Sequence, residues 1–300
     1  MPRSAFTLIE LLVVIAVIAI LIAVLLPALA GVRSGGVALQ SASNMRQLAI
    51  GHATYAVDND GVSIPGRMAK VGAGEDRVNQ YHVGNGKHYR PRWMVTMGAS
   101  AGFYAYNEPS TDPSKDNDNN RHVEHEVLVD PSRPDWTNNR NYAFGYNFQF
   151  LGNSRKDADD QYVNFPVRLS TLRTKTVLFA PTLGTAATFA EDERDAYNPA
   201  PHPNKSAREL ANHGWSLDPP RLHADGDNCD GGRDGVTRSA PDERHNGKAN
   251  VAFLDGHIKA MTAEQLGYMR NDDGSFAYCC PDADNTLFSG DGDADTPPVR

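Results

Sequence analysis

An uncharged apolar run near the amino terminus constrains this chain more than any other feature. Leu11 to Val32 is a stretch of 22 residues without a charged side chain, bounded by Glu10 and Arg33. At roughly 1.5 Å per residue, a helix of this length spans about 33 Å, which is enough to cross the hydrocarbon core of a bilayer. The sequence contains one such run. We therefore predict a single membrane-spanning helix followed by a large polar domain.

The rest of the chain has the composition of a polar globular domain. Of the 300 residues, 40% are hydrophobic, and the mean hydropathy is -0.49, so enough apolar side chains remain for a core. The net charge of -8 and the lack of a Lys/Arg-rich run argue against nucleic acid as a partner. Arg3 lies on the short amino-terminal flank, which favours a cytoplasmic amino terminus and an extracytoplasmic domain.

Two residues of this segment need an explanation. A carboxylate such as Glu10 at the start of a membrane helix costs on the order of 2.5 kcal/mol in hydrocarbon, unless it is paired or lies at the headgroup level. Pro27 is expected to kink the helix. A different interpretation takes the run as a secretory signal that is cleaved after Ala30, which would release a soluble protein. These alternatives predict different mature amino termini.

The residues from Arg3 to Glu10, the apolar helix after them and Pro27 together resemble the class III leader of type IV pilins and type II secretion pseudopilins. The resemblance implies that a prepilin peptidase cuts between Ala5 and Phe6 and that the new Phe6 amine is N-methylated. It also implies that Glu10 and Pro27 serve assembly, with Glu10 paired to the Phe6 ammonium of a neighbouring subunit. Ala5 departs from the family, which usually carries Gly before the cut.

Helical spacing of apolar residues continues beyond the membrane. One predicted face consists of Met45, Leu48, Ala49, His52, Tyr55 and Ala56, and Asn59-Asp60-Gly61 supplies a stop. Glycines at 31, 35 and 36 weaken this helix by about 1 kcal/mol each relative to Ala. Within the apolar face, His52 is predicted to be a core histidine and not a ligand.

The remainder, residues 61–300, is predicted to form strands and long loops. Strands are predicted at Glu124–Val129 and Thr176–Ala180, and a third carries aromatic residues at every second position: Tyr142, Phe144, Tyr146, Phe148 and Phe150. We expect this aromatic stripe to be buried against the helix; an exposed stripe would instead indicate a platform for sugars. The segment Glu191–Arg244 has no long periodic run and is predicted to be either a functional or a partly disordered loop.

A second motif lies between His245 and His257. A His, nine residues and Asp-Gly resemble the H-X9-DG motif near the carboxyl terminus of large prepilin-like proteins of the DUF1559 type. Turn dipeptides at Asn246-Gly247 and Asp255-Gly256 flank alternating apolar residues, so the segment 245–257 is predicted to be a hairpin. His245 and Asp255 would lie about 30 Å apart if the residues between them were extended, so the motif is interpreted as structural and not catalytic.

The polar part of the sequence contains candidate metal ligands and cysteines but no recognisable enzyme motif. The chain lacks a G-x-S-x-G elbow, a dinucleotide fingerprint and a His-Glu-x-x-His zinc motif, so we predict no enzymatic activity and no resident cofactor. Calcium is the candidate ligand, with oxygen donors clustered at Asp225, Asp227, Asp230 and Asp234. A candidate disulfide joins Cys229 to Cys279 or Cys280 in an extracytoplasmic domain.

These observations predict an α+β, pilin-like protein in which a long helix packs on an antiparallel sheet. The predicted segments are a leader (1–5), a transmembrane helix (6–32), its amphipathic continuation (33–60) and a β-rich domain (61–300) with an acidic tail. The resemblance implies an inner-membrane subunit of a type II secretion or type IV pilus-like filament. Its partners would be the prepilin peptidase, other subunits, the assembly platform and membrane lipid. The alternative is a monomeric membrane-anchored binding module, for example for polysaccharide.

Overall fold

A computed structural model describes residues 8–68, 92–105, 122–138, 140–156, 162–198, 206–222, 237–277 and 282–294. Its helices and strands, in chain order, are α1 (Leu8–Asp58), α2 (Trp93–Ala101), β1 (Phe144–Tyr146), α3 (Phe148–Leu151), β2 (Gly152–Lys156), β3 (Tyr162–Pro166), β4 (Val177–Gly184), β5 (Ala240–Pro241), β6 (Ala249–Phe253) and β7 (Ile258–Met261). The predicted α+β class, a long amino-terminal helix plus an antiparallel sheet domain, is confirmed.

Helix α1 is continuous over 51 residues. Glycines at 31, 35 and 36 do not interrupt it, and Pro27 lies inside it. The helix ends after Asp58, where the predicted stop supplies Asp60 and Gly61 with positive φ angles of 55° and 76°. The Ala56 carbonyl at the helix end then accepts two N–H groups, that of Asn59 at 3.2 Å and that of Gly61 at 2.7 Å.

The main sheet has the strand order β1-β4-β6-β7, with β5 pairing on the end of β4, and every pairing is antiparallel. The strand predicted at Thr176–Ala180 is confirmed as the first part of β4, and β7 follows the turn predicted at Asp255-Gly256. A separate hairpin joins β2 to β3.

The carboxyl-terminal half of α1 packs on this sheet through the predicted face. Met45 and Leu48 are fully enclosed, and Ala49, His52 and Ala56 are buried beside them. The core below them is aromatic: Trp93 lies 4.7 Å from Phe179 between ring centroids. Burial of these large rings is the main source of stability for the domain, because apolar area removed from water contributes roughly 25 cal/mol per Å².

Two predicted strands are corrected by the structure. The strand predicted at Glu124–Val129 is wrong. This segment contains a 3-10 turn at Glu126–Leu128, which buries both Val127 and Leu128. In a strand these two side chains would point to opposite faces. The aromatic strand ends at Tyr146, because the backbone of Asn147 turns into α3 after its N–H donates to the Leu178 carbonyl at 3.0 Å. The Asn147 side-chain amide donates to the carbonyls of Val177 and Phe288.

The aromatic residues are nevertheless buried as predicted. Tyr142, Phe144, Tyr146 and Phe148 are at most 1% exposed, and Phe150 is partly covered. The alternative of an exposed sugar-stacking platform is therefore wrong for this stripe.

The segment predicted as a long irregular loop contributes to the core. Trp215 in it is fully buried, and its carbonyl accepts the Tyr146 N–H of β1 at 3.1 Å. In the second hydrogen bond between these two segments, the Leu217 N–H donates to the Tyr146 carbonyl at 2.9 Å. This short stretch covers the outer edge of β1 and protects an otherwise open strand.

Candidate functional site

The amino-terminal half of α1 is a bare apolar surface. From Leu8 to Val32 its large apolar side chains are between 47% and 78% exposed. Within the described residues, α1 is the one helix that is long and apolar enough to cross a membrane. Glu10 lies in its first turn, and Pro27 lies within the exposed part. Ala5 and Phe6, the predicted cleavage and methylation site, lie outside the described residues.

The 245–257 motif forms the predicted hairpin and its first turn lies against α1. Asn246 and Gly247 have φ angles of 54° and 72°, which defines the primed turn that suits a two-residue connection. Reciprocal backbone hydrogen bonds between His245 and Lys248 close the turn at 3.0 and 3.2 Å.

Two side-chain bonds join this hairpin to α1 just beyond the apolar run. The Ser34 hydroxyl donates to Asn246 Oδ1 at 3.0 Å, and Asn250 Nδ2 donates to the Ala38 carbonyl at 2.9 Å. The Ala38 carbonyl therefore carries a second, lateral hydrogen bond in addition to its place in the helix. The hairpin thus fixes the domain to the helix at the point where the apolar run ends.

A buried charged cluster lies directly behind this turn, and we call it the Asp130 cluster: Ser41, Asp130, Asp242, Arg244 and His245. Arg244 pairs with Asp242 at 2.8 Å, and its Nη1 lies 3.5 Å from the Asp130 carboxylate. His245 Nε2 lies 3.7 Å from the same oxygen, and the Ser41 hydroxyl of α1 donates to it at 3.3 Å. The arginine also lies over the Trp136 ring at 4.7 Å.

Electrostatics keep Asp130 ionised. Burial alone would raise the pKa of its carboxyl, but the interactions with His245 and Arg244 and the hydrogen bonds from Ser132 outweigh burial and lower that pKa below its ordinary range. A buried carboxylate held this way needs all of its partners, because removing one leaves an uncompensated charge. The Asp130 cluster is therefore a tight connection between α1, the 122–138 segment and the hairpin.

The far turn of the motif has a separate set of contacts. Asp255 Oδ1 accepts the His257 backbone N–H at 3.1 Å, and Gly256 adopts a φ of 83°. The His257 ring stacks on Phe253 with 4.3 Å between centroids. His245 and Asp255 thus have different partners and lie at opposite ends of β6.

His52 occupies the core position that the sequence predicts. Its Nε2 lies 2.8 Å from the Ser63 hydroxyl, which in turn lies 2.7 Å from the Tyr146 hydroxyl. Burial lowers the pKa of His52 to about 3, so the imidazole is neutral in the folded protein. A neutral, hydrogen-bonded ring inside an aromatic core fits a packing role.

The remaining candidates lie partly outside the described residues. Two groups lie outside the described residues: the candidate calcium ligands Asp225, Asp227, Asp230 and Asp234, and the cysteines Cys229, Cys279 and Cys280. The His122–Glu126 segment is described: His122 bonds the Thr137 hydroxyl at 3.0 Å, and His125 accepts the Val127 N–H at 3.3 Å. These two imidazoles serve local turns.

Comparison with known proteins concerns the amino-terminal segment. The family model described as the prokaryotic N-terminal methylation motif matches residues 1–26. This match supports a type IV pilin-like protein, and the motif implies processing by a prepilin peptidase and assembly with other pilin subunits. No curated protein and no solved structure matches the chain. The described part of the matched range, residues 8–26, lies within the exposed part of α1.

Sequence reasoning missed most of the Asp130 cluster. Asp130 and His245 are 115 positions apart in the sequence (245 minus 130), and no local signal connects them. One local signal was available: Asp130-Pro131-Ser132 forms a turn in which Asp130 Oδ1 accepts the Ser132 N–H at 2.8 Å. That signal predicts the turn and not its partner.

Proposed function

We propose that this chain is a structural subunit, not an enzyme, that is inserted in the inner membrane through α1 and assembles into a type II secretion pseudopilus or a type IV pilus-like filament. The observation that carries the proposal is that the methylation motif, at residues 1–26, overlaps the bare apolar half of α1 from residue 8 to residue 26. Such a surface needs hydrocarbon or neighbouring helices around it. In this role the amino terminus is cytoplasmic and the globular domain extracytoplasmic.

In the assembled state Glu10 pairs with the methylated Phe6 ammonium of the adjacent subunit. A carboxylate within an apolar helix bundle is stable only with a partner of opposite charge, and a processed amino terminus supplies one in every subunit. The pair would set the axial register of neighbouring helices.

An exposed stripe on the extramembrane part of α1 supports packing between subunits. Leu39, Ile50 and Val57 are 74%, 57% and 82% exposed. At 100° per residue these three positions lie within about 20° of one direction on the helix. They point away from the sheet, so they are available to the helix of another subunit. The H-X9-DG hairpin contacts the opposite side of α1 and holds the domain in a fixed orientation on this helix.

The monomeric binding module is the weaker candidate. It relied on an exposed aromatic stripe, and the stripe is buried in the core. The large exposed apolar side chains among the described residues lie chiefly on α1. A carbohydrate-binding site would need such side chains on the globular domain.

The proposal is tested by co-purification of a tagged copy and an untagged copy of the full chain from the membranes of cells that also supply the assembly machinery. Glu10→Ala and Glu10→Gln are both expected to reduce recovery of the untagged copy by about tenfold or more, because both remove the charge. The matched control is Glu126→Gln, which neutralises an exposed glutamate of the domain. Equal recovery from the Glu10 variants and the control would contradict the assembly role.

A further inference from the structure

A cleft opens between α1 and the hairpin at the level where the apolar run ends. Its volume is about 490 Å³, within the range of small-molecule sites. One wall consists of Leu26 and Leu29 of α1, and the other of Arg244 and His245 of the hairpin, with Arg33 and Ser34 at the junction. An apolar wall and a wall that carries an arginine meet here.

Two buried nitrogen-bearing side chains line this cleft. The side chains of Arg244 and His245 are 2% and 4% exposed. Within the described residues, neither Arg244 Nη1 nor His245 Nε2 has a hydrogen-bond partner, since Asp130 lies 3.5 and 3.7 Å away, within ion-pair distance only. A buried donor that is left without an acceptor destabilises the folded state, so an acceptor between the walls would stabilise both groups.

The charge of the cleft and its position relative to the membrane together indicate which hydrogen-bond acceptor it would bind. Arg33 is the first charged residue after the 22-residue apolar run, so it lies at the polar surface of the bilayer when α1 spans it. Asp130 and Asp242 balance the charge of Arg244, so Arg33 supplies the remaining positive charge of the cleft. The leucine wall continues directly into the membrane span.

We propose that this cleft binds a glycerophospholipid of the outer leaflet, with the phosphodiester at Arg33, Arg244 Nη1 and His245 Nε2 and the acyl chains along Leu26 and Leu29. This inference rests on the membrane insertion of α1 in the proposed function. A free phosphate shares the headgroup chemistry, but the apolar wall favours the lipid as its source. Bound lipid would hold the hairpin, and with it the domain, at a fixed angle to the membrane.

The test uses the full chain purified in dodecyl maltoside and titrated with phosphatidylglycerol, with bound lipid counted by native mass spectrometry. Arg33→Gln is expected to weaken lipid binding by about tenfold, because it removes a charge-assisted contact from an exposed position that the fold does not need. The matched control is Arg46→Gln, an exposed arginine on the same helix outside the cleft. Equal affinities for these two variants would overturn the proposal.

Two further ligands test the contributions of the phosphodiester and of the acyl chains separately. Diacylglycerol lacks the phosphodiester, and inorganic phosphate lacks the acyl chains. Both are expected to bind at least tenfold more weakly than phosphatidylglycerol, and equal binding of either one would overturn the lipid assignment. Membrane fractionation of the same cells separates the two levels of the account: a chain outside the membrane contradicts both proposals, whereas a membrane-inserted chain without selective binding contradicts this one alone.

Discussion

The two halves of α1 differ in what covers them, although one unbroken helix contains both. In the first half the apolar side chains are exposed. In the second half an apolar stripe only one face wide packs on the sheet and α2. The difference shows that helix continuity and helix burial are independent here: the first half is built for a surrounding apolar medium, and the second for a core.

Leucine truncation gives the largest contrast between the halves. Leu48→Ala should lower the free energy of unfolding of the domain by about 4 kcal/mol, because Leu48 is fully enclosed and leaves a cavity. Leu21→Ala, at a position that is 56% exposed, should leave that free energy unchanged. Urea unfolding of the full chain in detergent, followed by tryptophan fluorescence, measures both. A matching loss from Leu21→Ala would mean that the first half packs on the domain.

The Asp130 cluster should carry the next largest effect. Asp130→Asn removes the charge that balances Arg244 and should cost about 3 kcal/mol at pH 7, with Asp242 limiting the loss. The folded-state pKa of Asp130 is lowered, so its contribution is present above the unfolded pKa of about 3.9 and is lost as the pH falls below that value. The difference between the variant and the parent protein should therefore begin to shrink below about pH 4 and continue to shrink as the pH falls towards the lowered folded-state pKa. A constant difference down to pH 2 would contradict the electrostatic explanation.

His52 should give the packed half its own pH dependence. Its folded-state pKa of about 3 lies below the unfolded value of about 6.5, so the unfolded state takes up the proton first as the pH falls. Stability should decline by about 1.4 kcal/mol per pH unit below pH 6.5, in a window where Asp130 does not yet titrate. His52→Gln should remove that slope in urea titrations at several pH values, and an unchanged slope would show that another group causes it.

Two glycine substitutions, one in the hairpin turn and one in α1, should have the smallest effects on stability, and these effects should have opposite signs. Gly247→Ala places a side chain at a φ of 72° in the hairpin turn and should cost about 1 kcal/mol. Gly36→Ala, in helical backbone with open space around it, should stabilise by about the same amount. Thermal unfolding of the two variants checks the opposite signs. Destabilisation by both would indicate that α1 bends at residue 36.

Local signals predicted the parts of this fold that are encoded locally. The packing face of α1, strand β4 and both turns of the 245–257 hairpin follow from spacing and from turn dipeptides, which act within a few residues. The core position of Trp215 and the pairing of Asp130 with His245 depend on the tertiary arrangement, which no single segment encodes. Glu124–Val129 shows the same limit: its alternation resembles a strand, but burial of adjacent Val127 and Leu128 favours a 3-10 turn.

The same division applies to the candidate site. Glu10 and Pro27 were predictable because the amino-terminal motif is contiguous, and their assembly roles stay predictions. The contact of the motif hairpin with Ser34 and Ala38 was not, since the two segments are 212 residues apart. Only the folded domain brings this turn to the end of the apolar run.

The central claim is that the first half of α1 is a processed, membrane-inserted assembly helix, and mass spectrometry of the mature amino terminus from native membranes tests it most directly. The account predicts a chain that begins at an N-methylated Phe6. A chain that begins at Gly31 would contradict it by showing a secreted soluble protein, and an intact Met1 would contradict it by leaving a static anchor.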